Sequence, residues 1–284
     1  MISVENLYHD YEGKGQYAVN DVSFKIKEGE VFGFLGPSGA GKSTVQNIMT
    51  GLLKLQKGSV LYEKKSIKEM KSNFYNDIGV SFEFHNLYLK LTGFENLKYY
   101  AGLFDVATKD PMELLEMVAL RESAHKRVSD YSKGMKQRIV FARALINNPK
   151  ILYLDEPTSG LDPATATQIR QLIKNKRDEG CTIFLTTHNM YSADELCDRV
   201  AFLNEGKIVA MDTPRNLKMK HGKKAVVVEY IRDEKIEKSM FSLDNEEERL
   251  KLNEVIKKND IQTMHSQEGT LEQTFIKLTG RGLV

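Results

Sequence analysis

Val31-Phe32-Gly33-Phe34-Leu35, followed without a break by Gly36-Pro37-Ser38-Gly39-Ala40-Gly41-Lys42-Ser43-Thr44, decides the fold of this chain. The first five residues form a short apolar run of the length of a buried strand. The next nine fit G-x-x-x-x-G-K-[ST] at every fixed position. Glycines at 36, 39 and 41 permit backbone torsions that side chains forbid, so successive N–H groups can converge on one anion. A helix opening near Lys42 adds the positive end of its dipole. Lys42 is expected to reach the outer phosphates, and the Ser43 hydroxyl to join the shell of a Mg²⁺ ion. A strand on one side and a helix on the other separate this pattern from a chance Gly-rich turn. Gly36, Pro37, Ser38, Gly39, Ala40, Gly41, Lys42, Ser43 and Thr44 are therefore expected to bind a nucleoside triphosphate.

Outward from that loop, strands and helices alternate. Residues 2–8 read as a first strand, and a polar stretch follows to Gln16. Val22, Phe24 and Ile26 then alternate with Asp21, Ser23 and Lys25, which is strand period. Glu28-Gly29-Glu30 turns the chain into the strand before the loop. Beyond the loop a helix carries Val45, Ile48 and Met49, and short strands are expected at 59–62 and 78–82. Strand signals vanish between Glu83 and Ala144, where Asn96–Tyr100 and Met112–Ala119 have helical period. They return at 151–154, 182–185, 200–203 and 207–210, with a helix at 163–179. Near-continuous apolar strands separated by helices predict a buried, largely parallel sheet. A polar, basic link surrounds Lys220–Lys224. After it come strand (225–231), strand (240–243), helix (246–257), strand (261–265) and helix (270–279). The expected organisation is one domain at 1–220, with a helical subdomain at about 84–144, and a small α+β domain at 221–284.

Composition excludes more than it assigns. The 284 residues hold 41 basic and 39 acidic side chains, a net charge of +2, so there is no electrostatic footprint for nucleic acid or anionic lipid. Cys181 and Cys197 are too few for a disulfide framework and lack metal-ligand spacing; both are expected to sit reduced in a core. Residues 1–6 have neither the basic nor the apolar region of a signal peptide. No apolar run approaches the roughly 18–20 residues of a membrane span. Any membrane role is expected to come through a partner.

A second chemical signal is Ile151-Leu152-Tyr153-Leu154-Asp155-Glu156. A carboxylate ending a buried strand beside a phosphate loop is placed to hold Mg²⁺, which assigns Asp155. Glu156, the next residue, can orient and polarise a water for attack on the γ-phosphate. Between the two signals lies Tyr131-Ser132-Lys133-Gly134-Met135-Lys136-Gln137-Arg138, leading into a helix that continues to Leu145. Taken alone, Ser132 is simply an N-cap.

In their order, these motifs resemble those of the nucleotide-binding subunits of ABC transporters, over roughly residues 1–220. The resemblance implies a P-loop NTPase (RecA-like) α/β core with a mainly parallel sheet, an antiparallel N-terminal β part, a helical insertion and the small C-terminal domain. It makes Gly36–Thr44 the Walker A motif and Ile151–Glu156 the Walker B motif. Tyr131–Gln137 corresponds to the signature, with Ser132, Gly134 and Gln137 as its core, Lys136 as the alternative to Gln137, and Lys133 in place of a Gly. Ser159-Gly160-Leu161-Asp162 resembles the D-loop, and His188 matches the switch histidine. Tyr11 fits the aromatic that stacks on adenine, with Tyr17 as its rival. Glu83 stands where the family has a Gln that contacts Mg²⁺. A carboxylate there still ligates the ion but adds negative charge near the γ-phosphate, so an active ATPase with altered metal dependence is expected.

The resemblance further implies that two such domains pair head to tail, as a homodimer or with a related ATPase subunit. ATP is then held between Walker A of one and the signature of the other. Closure and opening would drive a multi-spanning permease, encoded as a separate chain and docked near Glu83–Tyr88, at the cytoplasmic face of the cell membrane. The variant signature and the C-terminal helix are similar to those of the ABC-2-type exporter group. The alternative is a non-transport ATPase of the same type, a soluble switch on a ribosome or a nucleic-acid partner. The ribosomal relatives carry two nucleotide-binding domains in one chain, and the DNA-repair ones carry long coiled coils. This chain has one such domain and no sustained heptads.

Overall fold

Strand period at the N-terminus becomes an antiparallel sheet. The computed structural model describes all residues except 223, 233, 234, 268, 281, 283 and 284, and the backbone but not the side chain of Gln267. Strands β1 (Ile2–His9) and β2 (Val19–Ile26) pair antiparallel, with Val4 opposite Phe24. β3 (Val31–Leu35) is buried at every position and leads through the Gly-rich loop into helix α1 (Lys42–Met49). β4 (Lys57–Tyr62) then returns to the free edge of β1, and the short β5 (Lys65–Ser66) completes a four-stranded sheet in the order β2-β1-β4-β5.

β6 (Ile78–Ser81) precedes the expected helical insertion. The insertion holds α2 (Gly93–Ala101), opened by a Thr92–Glu95 capping box, and α3 (Pro111–Met117), capped by Asp110. It ends with α4 (Lys133–Ala144), capped by Ser132. Strands and helices alternate again through β7 (Ile151–Asp155), α5 (Pro163–Asp178), β8 (Thr182–Thr187), α6 (Met190–Leu196), β9 (Arg199–Asn204) and β10 (Lys207–Asp212). The second sheet runs β10-β9-β3-β8-β7-β6, and its pairings from β9 to β6 are parallel.

Aromatic side chains join the two sheets. Phe24 of β2 stacks on Phe32 of β3 at 5.3 Å between ring centroids, and Phe34 and Phe184 crowd the same rings. Each such burial contributes about 1.5–3 kcal/mol, and the aromatic pairs add to that through offset and tilted contacts. Tyr62 of β4 and Tyr153 of β7 meet through a buried hydroxyl–hydroxyl hydrogen bond, so neither polar tip is stranded in the core.

Residues Met1–Met211 form one compact unit and the chain from Asp212 onward a second. The second holds α7 (Pro214–His221), β11 (Ala225–Arg232), β12 (Lys235–Ser242), α8 (Glu246–Lys258), β13 (Asp260–Gln267) and α9 (Leu271–Thr279). Its antiparallel sheet, β12-β11-β13, has its own core of Val226, Val228, Tyr230, Phe241 and Leu252. Residues 214–221, nearly all of them placed above at the end of the first domain and given no element, are a helix of the second unit, with Thr213 as its cap and Pro214 at its first position.

Candidate active site

Sheet register brings the motifs together. Leu35, the last residue of β3, lies opposite Thr187, and Asp155, the last of β7, lies opposite Thr186. The loop at 36–41, the pair Asp155–Glu156 and the pair Thr187–His188 therefore leave one edge of the parallel sheet side by side. The carboxyl ends of parallel strands are where α/β sheets bind ligands.

The loop's backbone leaves no room for side chains at two of its glycines. A Cβ on Gly36 would stand 2.2 Å from the Leu203 carbonyl oxygen, and one on Gly41, at φ +102°, would stand 2.3 Å from the Ala18 carbonyl oxygen. Gly41 is also the N-cap of α1, and no side chain bonds the first N–H groups of that helix. Every other α-helix of the described residues has a side-chain cap. The open donors of α1 thus face the concave loop that precedes them. Lys42 Nζ donates to the carbonyls of Gly36 (2.8 Å) and Pro37 (2.9 Å). Burial lowers the Lys42 pKa, while Glu156, Asp155 and Glu83 each pull it back up. Glu83, exposed at the start of the helical insertion, therefore lies within electrostatic reach of Lys42.

Asp155 accepts a hydrogen bond from the Thr186 hydroxyl. Glu156 is buried and sits at φ +48°, in the left-handed region. Its Oε2 accepts from the Thr187 hydroxyl at 2.9 Å. Its Oε1 accepts from the His188 backbone N–H at 2.8 Å and lies 2.7 Å from His188 Nδ1. The imidazole itself is half-exposed. Ser43, Asp155 and Glu83, arranged around Lys42, offer hydroxyl and carboxylate oxygens, and these hard donors fit Mg²⁺. Thr186 and Thr187 escape the sequence reading, although the run Thr186-Thr187-His188 at a strand end is their signal.

The remaining residues fall into two groups. Ser132 is exposed at the start of α4, where its hydroxyl accepts from Met135 N, and Gly134 faces Leu161. Asp162 caps α5 by accepting from Thr165 N. Gln137 departs from its expected place: it is buried, and its amide donates to the Glu156 carbonyl at 3.3 Å. Five residues beyond Ser132, about 1.4 helical turns, its side chain lies on the buried face of α4, away from the exposed Ser132. Of the two tyrosines, Tyr11 is hydroxyl-bonded to Thr44 Oγ1 at 3.0 Å, and so is tied to α1. Tyr17 is set edge-on against Tyr8.

Similarity to known proteins agrees with this geometry. The family model described as ABC transporter matches residues 19–159. A fluoroquinolones export ATP-binding protein of Mycobacterium tuberculosis (strain CDC 1551 / Oshkosh) is 46% identical over 284 residues, 100% of this chain and 94% of that protein. A lantibiotic transport ATP-binding protein of Streptococcus pyogenes is 37% identical over 209 residues, 74% of this chain and 89% of that protein. Among solved structures, a dimeric ATP-binding cassette in a post-hydrolysis state, bound to ADP and Pi, superposes with a TM-score of 0.69 at 31% identity. That likeness covers 75% of this chain and 98% of the cassette. The chain belongs to the ATP-binding, ATP-hydrolysing proteins of the ABC transporter family.

Proposed function

We propose that this chain powers an exporter by closing on ATP with a second cassette and reopening after hydrolysis. The observation that carries the reading is the convergence, at one sheet edge, of the uncapped α1 terminus with Lys42 and the buried Glu156 held by Thr187 and His188. The loop N–H groups and Lys42 bind the phosphates, and Lys42 exchanges its two carbonyl partners for phosphate oxygens. Ser43 and Asp155, with Glu83 beside them, would hold Mg²⁺, which when bound neutralises phosphate charge. Glu156 orients the attacking water, and His188 fixes the carboxylate's orientation. Tyr11 stacks on the adenine. Ser132 and Gly134 reach the γ-phosphate of the nucleotide held by the other cassette, a reading that the dimeric ADP- and Pi-bound relative supports.

Export is favoured by the relatives named for export or transport of a drug and a lantibiotic. No helix of the described residues is long and apolar enough to cross a membrane. We assign the membrane step to a permease on a separate chain, met from the cytoplasmic face. Its docking surface is the exposed apolar group Phe84, Tyr88, Leu89 and Tyr99, in which Tyr88 and Tyr99 lie edge-to-face at 4.9 Å.

The test is mass spectrometry of what co-purifies with tagged Glu156→Gln chain from solubilised native membranes in the presence of ATP. A multi-spanning membrane protein in stoichiometric amount is expected. Ribosomes or DNA in its place would overturn the transport reading.

A further inference from the structure

We infer that Gln137 is a positioning residue for hydrolysis. Its amide fixes the backbone of Glu156, and so ties the helix that meets one nucleotide to the carboxylate that acts on the other. The second half of that statement rests on the paired-cassette reading above.

Glu156 holds a backbone conformation that non-glycine residues avoid, at a cost of about 1–3 kcal/mol unless the surroundings over-determine it. The surroundings do so from several elements. Its N–H donates to the Thr186 carbonyl at 3.0 Å, and its carboxylate is held from the end of β8. Its carbonyl receives two donors from different directions: Ser159 N–H at 3.1 Å and Gln137 Nε2 at 3.3 Å. Gln137 is 4% exposed, on the inner face of α4.

The two elements that hold this carbonyl also pack on each other. The Lys133 stem lies along Gly160, where a Cβ would meet its Cε at 3.0 Å, and a Cβ on Gly134 would stand 3.5 Å from Leu161 Cδ2. The first turn of α4 and the loop at 159–162 therefore form one packed body with two attachments, Gln137 and Ser159, to the same oxygen. When the exposed start of α4 engages a second cassette, any shift of that body reaches the Glu156 backbone. Because the native torsion is strained, a small relaxation re-aims the carboxylate without displacing the nucleotide.

The experiment measures steady-state ATP hydrolysis by the full chain as a function of ATP concentration, for wild type, Gln137→Met and Gln137→Glu. Methionine keeps the length and removes the donor. The expected result is a fall in kcat of about tenfold, the size of one lost buried hydrogen bond expressed as a rate. KM should stay within about twofold, since a positioning contact does not bind substrate, and the Hill coefficient for ATP should fall toward one. A purely structural role would instead lower the melting temperature and leave the kcat of the folded fraction unchanged. Glutamate is isosteric and donates only when protonated, so its rate relative to wild type should rise as pH falls. That ratio also decides the matter if the methionine variant does not fold. A wild-type kcat and Hill coefficient in Gln137→Met, or a pH-independent ratio in Gln137→Glu, would overturn the proposal. Absence of hydrolysis in wild type would overturn the hydrolysis reading and this proposal together.

Discussion

At Glu156 the carboxylate is held from the end of β8 and the backbone carbonyl by α4 and the loop at 159–162, and this decides what substitution there should do. Gln can keep the whole network: its carbonyl oxygen accepts from His188 N–H, and its amide donates to the Thr187 hydroxyl oxygen. Glu156→Gln is therefore expected to fold and bind ATP normally while kcat falls about 100-fold or more, the usual size of a general-base contribution. A loss of only a few-fold would move the base elsewhere. The adenine contact separates two residues that the sequence left as rivals. Tyr11 is anchored to α1 through Thr44, so its ring is fixed relative to the phosphate loop. Base–aromatic stacking contributes about 1–3 kcal/mol. Tyr11→Ala should thus raise the KM for ATP by roughly tenfold with kcat little changed, and Tyr17→Ala should leave it within about twofold. The reverse order in ATP titrations would hand the role to Tyr17.

The turn from β3 into α1 is where sequence and geometry constrain each other most tightly. Gly39 and Gly41 both have positive φ, but nothing lies within 4 Å of a Cβ at 39, whereas one at 41 would stand 2.3 Å from the Ala18 carbonyl oxygen. Gly39→Ala carries only the torsional cost, about 1–2 kcal/mol. Gly41→Ala carries that cost plus displacement of backbone, and is expected to lose more stability in urea unfolding and to weaken nucleotide binding. Equal losses would show that the Ala18 contact does not matter. This loop was legible because its glycines and lysine act through local backbone geometry. The strands themselves were legible through short apolar runs such as Val31–Leu35 and Thr182–Leu185. What sequence could not supply was the order of those strands. The Thr186–Asp155 bond and the inward turn of Gln137 depend on which strand lies beside which, and no local pattern encodes that neighbour. Helices α6 and α7 were missed for a different reason. Each is short, seven residues in α6 and eight in α7, so period alone carries little signal, although Asn189 and Thr213-Pro214 are sound caps.

At the scale of the whole molecule, the chain has two compact units with separate cores, and the phosphate loop, Asp155, Glu156 and His188 all lie in the first. Binding energy stabilises only what it touches: ligand at about 100 times its Kd adds about 2.7 kcal/mol to the unit that holds it. Calorimetry of Glu156→Gln, which keeps ATP intact during the scan, should therefore show a transition that rises with ATP and a second that stays in place. Val228 is fully buried in the core of the second unit. Val228→Ala leaves a cavity there, and it should lower the ATP-insensitive transition by several degrees while leaving the other where it was. If ATP and Val228→Ala instead moved one common transition, the two units would unfold as a single cooperative body. The C-terminal unit would then contribute directly to the stability of the ATP-binding one.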